Sequence, residues 1–256
     1  MLRAITHKVS SRIADCELTF IDRASIDLEK AERQHALYSA ALEKLGVAIT
    51  RLSENDSYPD ACFVEDTAVV VDELAVMCSM GVASRRGETP LIERELSRHR
   101  EIARVSLPAT IEGGDVLRVG KKVFVGRSTR TNDQGIAELA RLLSPLGYTV
   151  VPVLTKQSLH LKSVCTAIDD QTLIVNPNWI GLDPFGGFNL VHTPADEPWA
   201  GNVVRVGNSV CVQAGFPRTV ETVKRAAERV EVVDTSELGK AEGALTCLSI
   251  IFDAAV

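Results

Sequence analysis

Apolar positions along the chain come in short bursts broken by polar turns. TAVVVDELAVMCS (67–79) runs apolar, breaks at an acidic pair and runs apolar again, which predicts two short strands joined by a turn. VLRVGKKVFVG (116–126) repeats the pattern around Gly-Lys-Lys, VCTAIDDQTLIV (164–175) around Asp169-Asp170, and VVRVGNSVCVQ (203–213) around Gly207-Asn208. ALTCLSIIF (244–252) reads as a final apolar strand, with the N-terminal segment as its partner. Between these pairs the period lengthens to that of a helix. Residues 26–45 carry Leu28, Ala31, His35, Tyr38, Leu42 and Leu45 at helical spacing, with Ser25 as N-cap and Gly46 past the end. A Thr89-Pro90 cap opens a helix over 90–99, and another over 133–143 follows Thr131-Asn132. Residues 217–230 begin at Pro217 and repeat Val220, Val223, Ala227 and Val230. Residues 176–200 are rich in Pro, Gly and Asn and predict a long loop, often a functional feature inside a compact domain.

The unit is therefore strand-strand-helix, repeated about five times with starts about 40 to 50 residues apart. Two arrangements fit: an ordinary mixed α/β sheet, or a ring of small sheets about a pseudo-symmetry axis. A ring would bring the strand starts around one central cavity. No linker interrupts the repeats, so one domain is expected over 1–256.

The chain has 256 residues, 45% of them hydrophobic, enough for a substantial core. Its formal net charge of −6 disfavours nucleic acid and anionic membranes as partners and suits a small cationic ligand. MLRAITHKVSSRIADCELTF lacks the apolar core of a secretory signal, and no apolar run reaches membrane-spanning length. Cys16, Cys62, Cys78, Cys165, Cys211 and Cys247 form no C-x-x-C pair. Their scatter implies reduced thiols in a cytoplasmic protein, most of them serving as small core residues.

Phosphate-loop, dinucleotide, metalloprotease and serine-hydrolase signatures are absent, as is clustered metal-ligand spacing. What remains is polar residues at the strand starts. Glu65-Asp66 precede TAVVV, Glu112-Gly113-Gly114-Asp115 precede VLRV, His160 precedes LKSVCTAI, Gly201-Asn202 precede VVRV, and Thr246-Cys247 sit within ALTCLSIIF. Alone, Cys247 with its apolar flanks is a core cysteine and His160 a surface or hydrogen-bonded histidine. Together, from different repeats and with carboxylates nearby, they form a nucleophile and an acid–base partner, which Glu112 could orient. Glu65 and Asp66, otherwise a solvated turn, form a cation receptor that would match a planar guanidinium. Gly113-Gly114 would let the backbone pass close to a ligand. Arg85-Arg86, Arg127 and Arg130 are solvated by default, but one or two could clamp a substrate carboxylate.

FVEDTAVV, SRRGE, EGGDVLRVGKKVFVGRSTRTNDQG, SLHLKSVCT and EGALTC, taken together, resemble the dimethylarginine dimethylaminohydrolase family of the guanidino-group-modifying superfamily. The resemblance runs from about Leu18 to Cys247 and rests on the order and spacing of the motifs. It implies a five-bladed α/β propeller and hydrolysis of Nω-methylated arginines to citrulline and methylamines through a covalent thiouronium. It implies Cys247 as nucleophile, His160 as proton donor, Asp66 as the acid holding the guanidinium with Glu65 beside it, and Glu112 as support for the histidine. Arg85 and Arg130 resemble the arginines that grip the substrate α-carboxylate. Asp60 and the Leu18 backbone resemble the α-amino contacts, and Ala241 stands at a backbone contact where the family usually has a larger aliphatic residue. Glu242 stands where relatives often have Asp. No metal or organic cofactor is implied, although zinc binding at the cysteine would inhibit. The chain would work as a monomer or homodimer, with residues 15–25 as a lid. Two alternatives stay open: an arginine deiminase releasing ammonia, and a non-catalytic ring-shaped repeat protein. The compact spacing from Gly126 to His160 leaves little room for the helical insert that deiminases usually carry.

Overall fold

The computed structural model describes residues 1–254. Five three-stranded sheets form the blades of an α/β propeller. Blade 1 joins Ile250–Asp253 to Leu2–His7 and then to Ala48–Leu52, so the chain's last strand closes the ring on its first, as expected. Blade 2 is Ala68–Val70, Leu74–Met77 and Glu101–Arg104; blade 3 is Val116–Val119, Lys122–Arg127 and Thr149–Leu154. Blade 4 is Cys165–Ala167, Thr172–Val175 and Asn189–His192; blade 5 is Val204–Val206, Ser209–Gln213 and Arg229–Val233. In each blade the first two strands pair antiparallel and the third lies parallel to the second. A parallel pair needs a crossover, and helices supply it: α1 (Leu28–Lys44), α2 (Thr89–Leu96), α3 (Asp133–Leu143) and α4 (Pro217–Ala226).

The repeat is thus strand-strand-helix-strand rather than strand-strand-helix. The third strands escape the hydrophobic pattern because they are outer edges: Glu101–Arg104 and Asn189–His192 are half-buried at best. The helix expected over 217–230 stops at Ala226 for the same reason. Ala227 is extended (φ −108°, ψ 146°), and Val230 belongs to an edge strand although its spacing continues the helical period. Blade 4 has no α-helix. Within the expected 176–200 loop, Phe185 packs on Phe124 of blade 3 with ring centroids 4.8 Å apart, covering the sheet face a helix covers elsewhere.

Two caps differ from expectation. Asp27, not Ser25, caps α1, its carboxylate accepting from the Lys30 amide at 2.9 Å. Thr89 lies inside α2, because a 3-10 turn over Ala83–Glu88 runs straight into the helix. Gly46 past α1 has φ +87°, the left-handed geometry that ends a helix.

The first strands surround the axis, and four of them are preceded by a single 3-10 turn: Val64–Thr67, Gly113–Asp115, Leu161–Ser163 and Thr246–Leu248. Cys247 therefore stands on a turn before its strand and not within it. Polar side chains at the strand starts stitch neighbouring blades together. Asp66 accepts the Gly114 amide at 3.1 Å, Asp115 the Leu161 amide at 2.9 Å, and Asn202 the Thr246 amide at 3.1 Å. The strand-start polarity noticed in the sequence thus has a structural share as well as a chemical one. Among the described residues no helix is long and apolar enough to cross a membrane.

Candidate active site

The turns bring Asp66, His160 and Cys247 to the wall of one cavity of about 20 Å³, together with Glu17, Asp60, Arg85, Arg130 and Ala241. His160 comes from blade 4 and Asp66 from blade 2. Glu112, fully buried at the start of blade 3, stands behind them. The imidazole bonds Glu112 through Nε2 at 2.8 Å, which leaves Nδ1 facing Asp66 at 3.7 Å. Asp66, Glu112 and Asp115 outweigh burial and raise the His160 pKa to about 9, so the ring is doubly protonated at neutral pH. Burial pushes the carboxyls of Asp66 and Glu112 upward, but His160 and, for Asp66, Arg85 bring both below the usual range. Donor atoms of Asp66, Glu112 and His160 come within 4.8 Å of one another, a spacing a metal could use, but it would have to displace the imidazole proton.

Cys247 accepts the Ala244 amide at 3.5 Å and is 8% exposed. Its thiol is pushed well above the ordinary value by burial, then by Asp66 and Glu65. A buried thiol beside two acids stays neutral until a cation arrives. All six cysteines are free and buried, so burial alone singles out none of them. Position at the common cavity does.

Arg85 is saturated with acids. It reaches Glu88 at 2.9–3.3 Å, Asp66 at 2.7 Å and the Phe63 carbonyl at 3.0 Å. Arg130 is held loosely, 3.5 Å from Glu112 and 3.3 Å from Thr19 Oγ1. Glu65 faces away from this cavity. Its carboxylate binds Lys162 Nζ at 2.5 Å and Thr246 Oγ1 at 2.7 Å, on the wall of a separate channel of about 310 Å³. Leu18 packs on the apolar cluster of blade 1, and its neighbour Glu17 lines the cavity instead. Asp60 accepts the Glu17 amide at 3.1 Å. The segment 15–25 is latched by Glu242, whose carboxylate accepts the Thr19, Phe20 and Ile21 amides at 2.5–2.9 Å.

Sequence reasoning missed Lys162, Glu88 and the stitching role of Asp115. Lys162 lies two residues past His160, and Glu88 three past Arg85 on a 3-10 turn. Those offsets were the available signals. Gly113-Gly114 also serve the packing of the site. A Cβ on Gly114 would lie 2.6 Å from both Asp66 Oδ1 and His160 Nδ1, and one on Gly113 would lie 2.0 Å from the Glu65 carbonyl. The glycines admit these protein groups. Gly114→Ala should cut turnover by about 100-fold, because displacement by a fraction of an ångström misaligns both groups. Steady-state kinetics alongside far-ultraviolet circular dichroism checks this, with the spectrum expected to be unchanged.

A family profile described as "N,N dimethylarginine dimethylhydrolase, eukaryotic" matches residues 16–183. The N(G),N(G)-dimethylarginine dimethylaminohydrolase of Pseudomonas aeruginosa is 33% identical, over 98% of this chain and all of the relative. This chain belongs to the dimethylarginine dimethylaminohydrolase family. The Streptomyces coelicolor member is 34% identical over 97% of this chain and 96% of its own. The solved structure of the Pseudomonas aeruginosa enzyme, a cysteine-to-serine mutant complexed with citrulline, superposes with a TM-score of 0.94 at 32% identity, covering 98% of each chain. The five-bladed propeller expected from the motifs is thus the family's fold.

Proposed function

We propose that this enzyme hydrolyses the guanidino C–N bond of Nω-methylated arginines, giving citrulline and a methylamine, with Cys247, His160, Asp66 and Glu112 as its chemical groups. The arrangement of Asp66, His160 and Cys247 about one cavity, with Glu112 on the far nitrogen of the imidazole, carries the reading. Asp66 takes one edge of the substrate guanidinium. The incoming positive charge offsets the two acids that hold the Cys247 thiol neutral, and the thiol proton is released to solvent. Sγ adds to the guanidino carbon. The C–N bond breaks as His160 Nδ1, protonated at rest, gives its proton to the departing amine. A thiouronium remains on sulfur. Water then gives a proton to the neutral imidazole while its oxygen adds to the carbon. The C–S bond breaks as the adduct's hydroxyl proton passes to the departing sulfur, so citrulline leaves and the neutral thiol returns. The steps consume one water and need no electron carrier.

The amino-acid end of the substrate falls to Arg130, Asp60, Glu17 and the backbone of Leu18 and Ala241. Arg130 is the better carboxylate clamp, since Arg85 is fully engaged in holding Asp66 and Glu88. Glu65 acts from behind, fixing Thr246 beside the nucleophile. The cavity of about 20 Å³ is too small for an amino acid, so 15–25 opens at the Glu242 latch for binding. The chain works as a single catalytic domain, a monomer or homodimer in the cytoplasm. Citrulline production from dimethylarginine, monomethylarginine, arginine and agmatine tests the reading. Turnover of the two methylated substrates is expected, and turnover of arginine alone would make the enzyme a deiminase.

A further inference from the structure

Beside the catalytic cavity lies a second one of about 230 Å³, over ten times larger. Leu159, Glu242 and Gly243 border both. We propose that this side pocket receives the substituents on the departing nitrogen, so that the enzyme also hydrolyses arginines whose ω-alkyl group is larger than methyl. The inference rests on the reading of the site as a guanidino hydrolase and names a wider substrate class for it.

The wall shared by the two cavities sets the direction. The side pocket is built from blades 4 and 5, from the segment that leads from blade 5 to Cys247, and from Phe20 and Ile21. Leu159 and Ser163 flank His160 at the start of blade 4, Asn202 and Phe216 belong to blade 5, and Ala244 leads to Cys247. His160 Nδ1 faces Asp66 at 3.7 Å, so a guanidinium held on Asp66 lies beside the imidazole as well. The nitrogen that leaves must reach both His160 and the carbon attacked by Cys247, which sets it against the wall that Leu159 and Gly243 share with the side pocket.

The walls suit alkyl groups. Phe20, Ile21, Trp199 and Phe216 supply apolar surface, and Trp199 is braced edge-on by Trp179 with centroids 4.6 Å apart. The charged side chain of the lining, Glu242, has its oxygens occupied by the lid amides. Leu159 is half-buried and Gly243 has no side chain, so at these two positions the wall between the cavities is one leucine side chain and bare backbone. A methyl group uses little of this volume. Each further methylene buried is worth about four-fold in affinity.

Gly239 offers a way to fill the pocket. It lines the space, its φ is not positive, and an added Cβ meets no atom within 4 Å. Citrulline formation would be compared for dimethylarginine, Nω-propylarginine and Nω-benzylarginine in the wild type, Gly239→Leu and Trp199→Ala. The wild type should turn over Nω-propylarginine within about tenfold of dimethylarginine. Gly239→Leu should lower kcat/KM for the propyl and benzyl substrates by about tenfold or more while changing dimethylarginine by less than about twofold. Trp199→Ala, an exposed position that tolerates change, should raise KM for the propyl substrate selectively. Wild-type hydrolysis of dimethylarginine with none of Nω-propylarginine would overturn the inference and leave the function intact. Equal losses on all substrates in both variants would overturn it too. Failure on dimethylarginine itself would instead remove the functional reading beneath it.

Discussion

Cys247→Ser should lower citrulline formation from dimethylarginine by more than about 10⁴-fold with the fold unchanged. Burial and two neighbouring acids already hold the thiol pKa high. The incoming guanidinium can bring a thiol back toward ionisation, but an alcohol starts far higher and stays neutral. The substitution is nearly isosteric, so the contact with the Ala244 amide and the packing around Leu245 and Leu248 survive. Loss of activity with unchanged thermal unfolding therefore isolates the nucleophile. A chloroacetamidine reagent, cationic and thiol-directed, should label wild-type Cys247 alone among the six buried cysteines and lose that site in the variant. Near-normal turnover by Cys247→Ser would remove the covalent mechanism altogether.

The periodic features of the molecule were legible in the sequence, and the edges were not. The paired strands, the four crossover helices and the closure of the last strand on the first all follow from apolar spacing. The third strands do not, because an edge strand half-exposed to solvent carries no clean alternation. Blade 4 hides its architecture for another reason: Phe185 and its loop do a helix's packing without a helix's period. In the site, phase along the repeat was enough to group Asp66, Glu112, His160 and Cys247. It could not tell which side of a turn faces which cavity. Glu65 and Asp66 are adjacent, yet consecutive residues on a tight turn point apart, and one serves the rear channel while the other serves the front. For ion pairs between turns, such as Glu65 with Lys162, an offset within one turn marks the residue but not its partner. Arg85 was expected to grip a carboxylate of the substrate, but it is engaged by Glu88 and Asp66, and its pairing with Asp66 comes from folding rather than from any local pattern.

The second large effect belongs to His160, and pH is its readout. His160→Ala should reduce kcat by about 10²–10⁴-fold, the range for losing a positioned acid–base group. On the proposed mechanism the wild-type imidazole carries its proton to the leaving amine. With a folded pKa raised to about 9, kcat/KM should fall as pH rises through 9, and this limb should vanish in the variant. Glu112→Gln removes one of the acids that hold the proton and should move the limb to lower pH, while also releasing the ring's orientation. Stability offers an independent check with the same sign. A histidine whose folded pKa lies above its unfolded value of about 6.5 stabilises the fold fully below that value. The contribution is lost as pH rises toward 9. Urea unfolding of the wild type between pH 6.5 and 9 should therefore show a decline that His160→Ala lacks. In the variant, Asp66 keeps Arg85, whereas Glu112 loses its 2.8 Å partner and retains Arg130 at 3.5 Å. The carboxyl of Glu112 should then titrate higher than in the wild type. A variant whose kcat/KM still falls through pH 9 would place the titrating acid elsewhere and deny His160 its role.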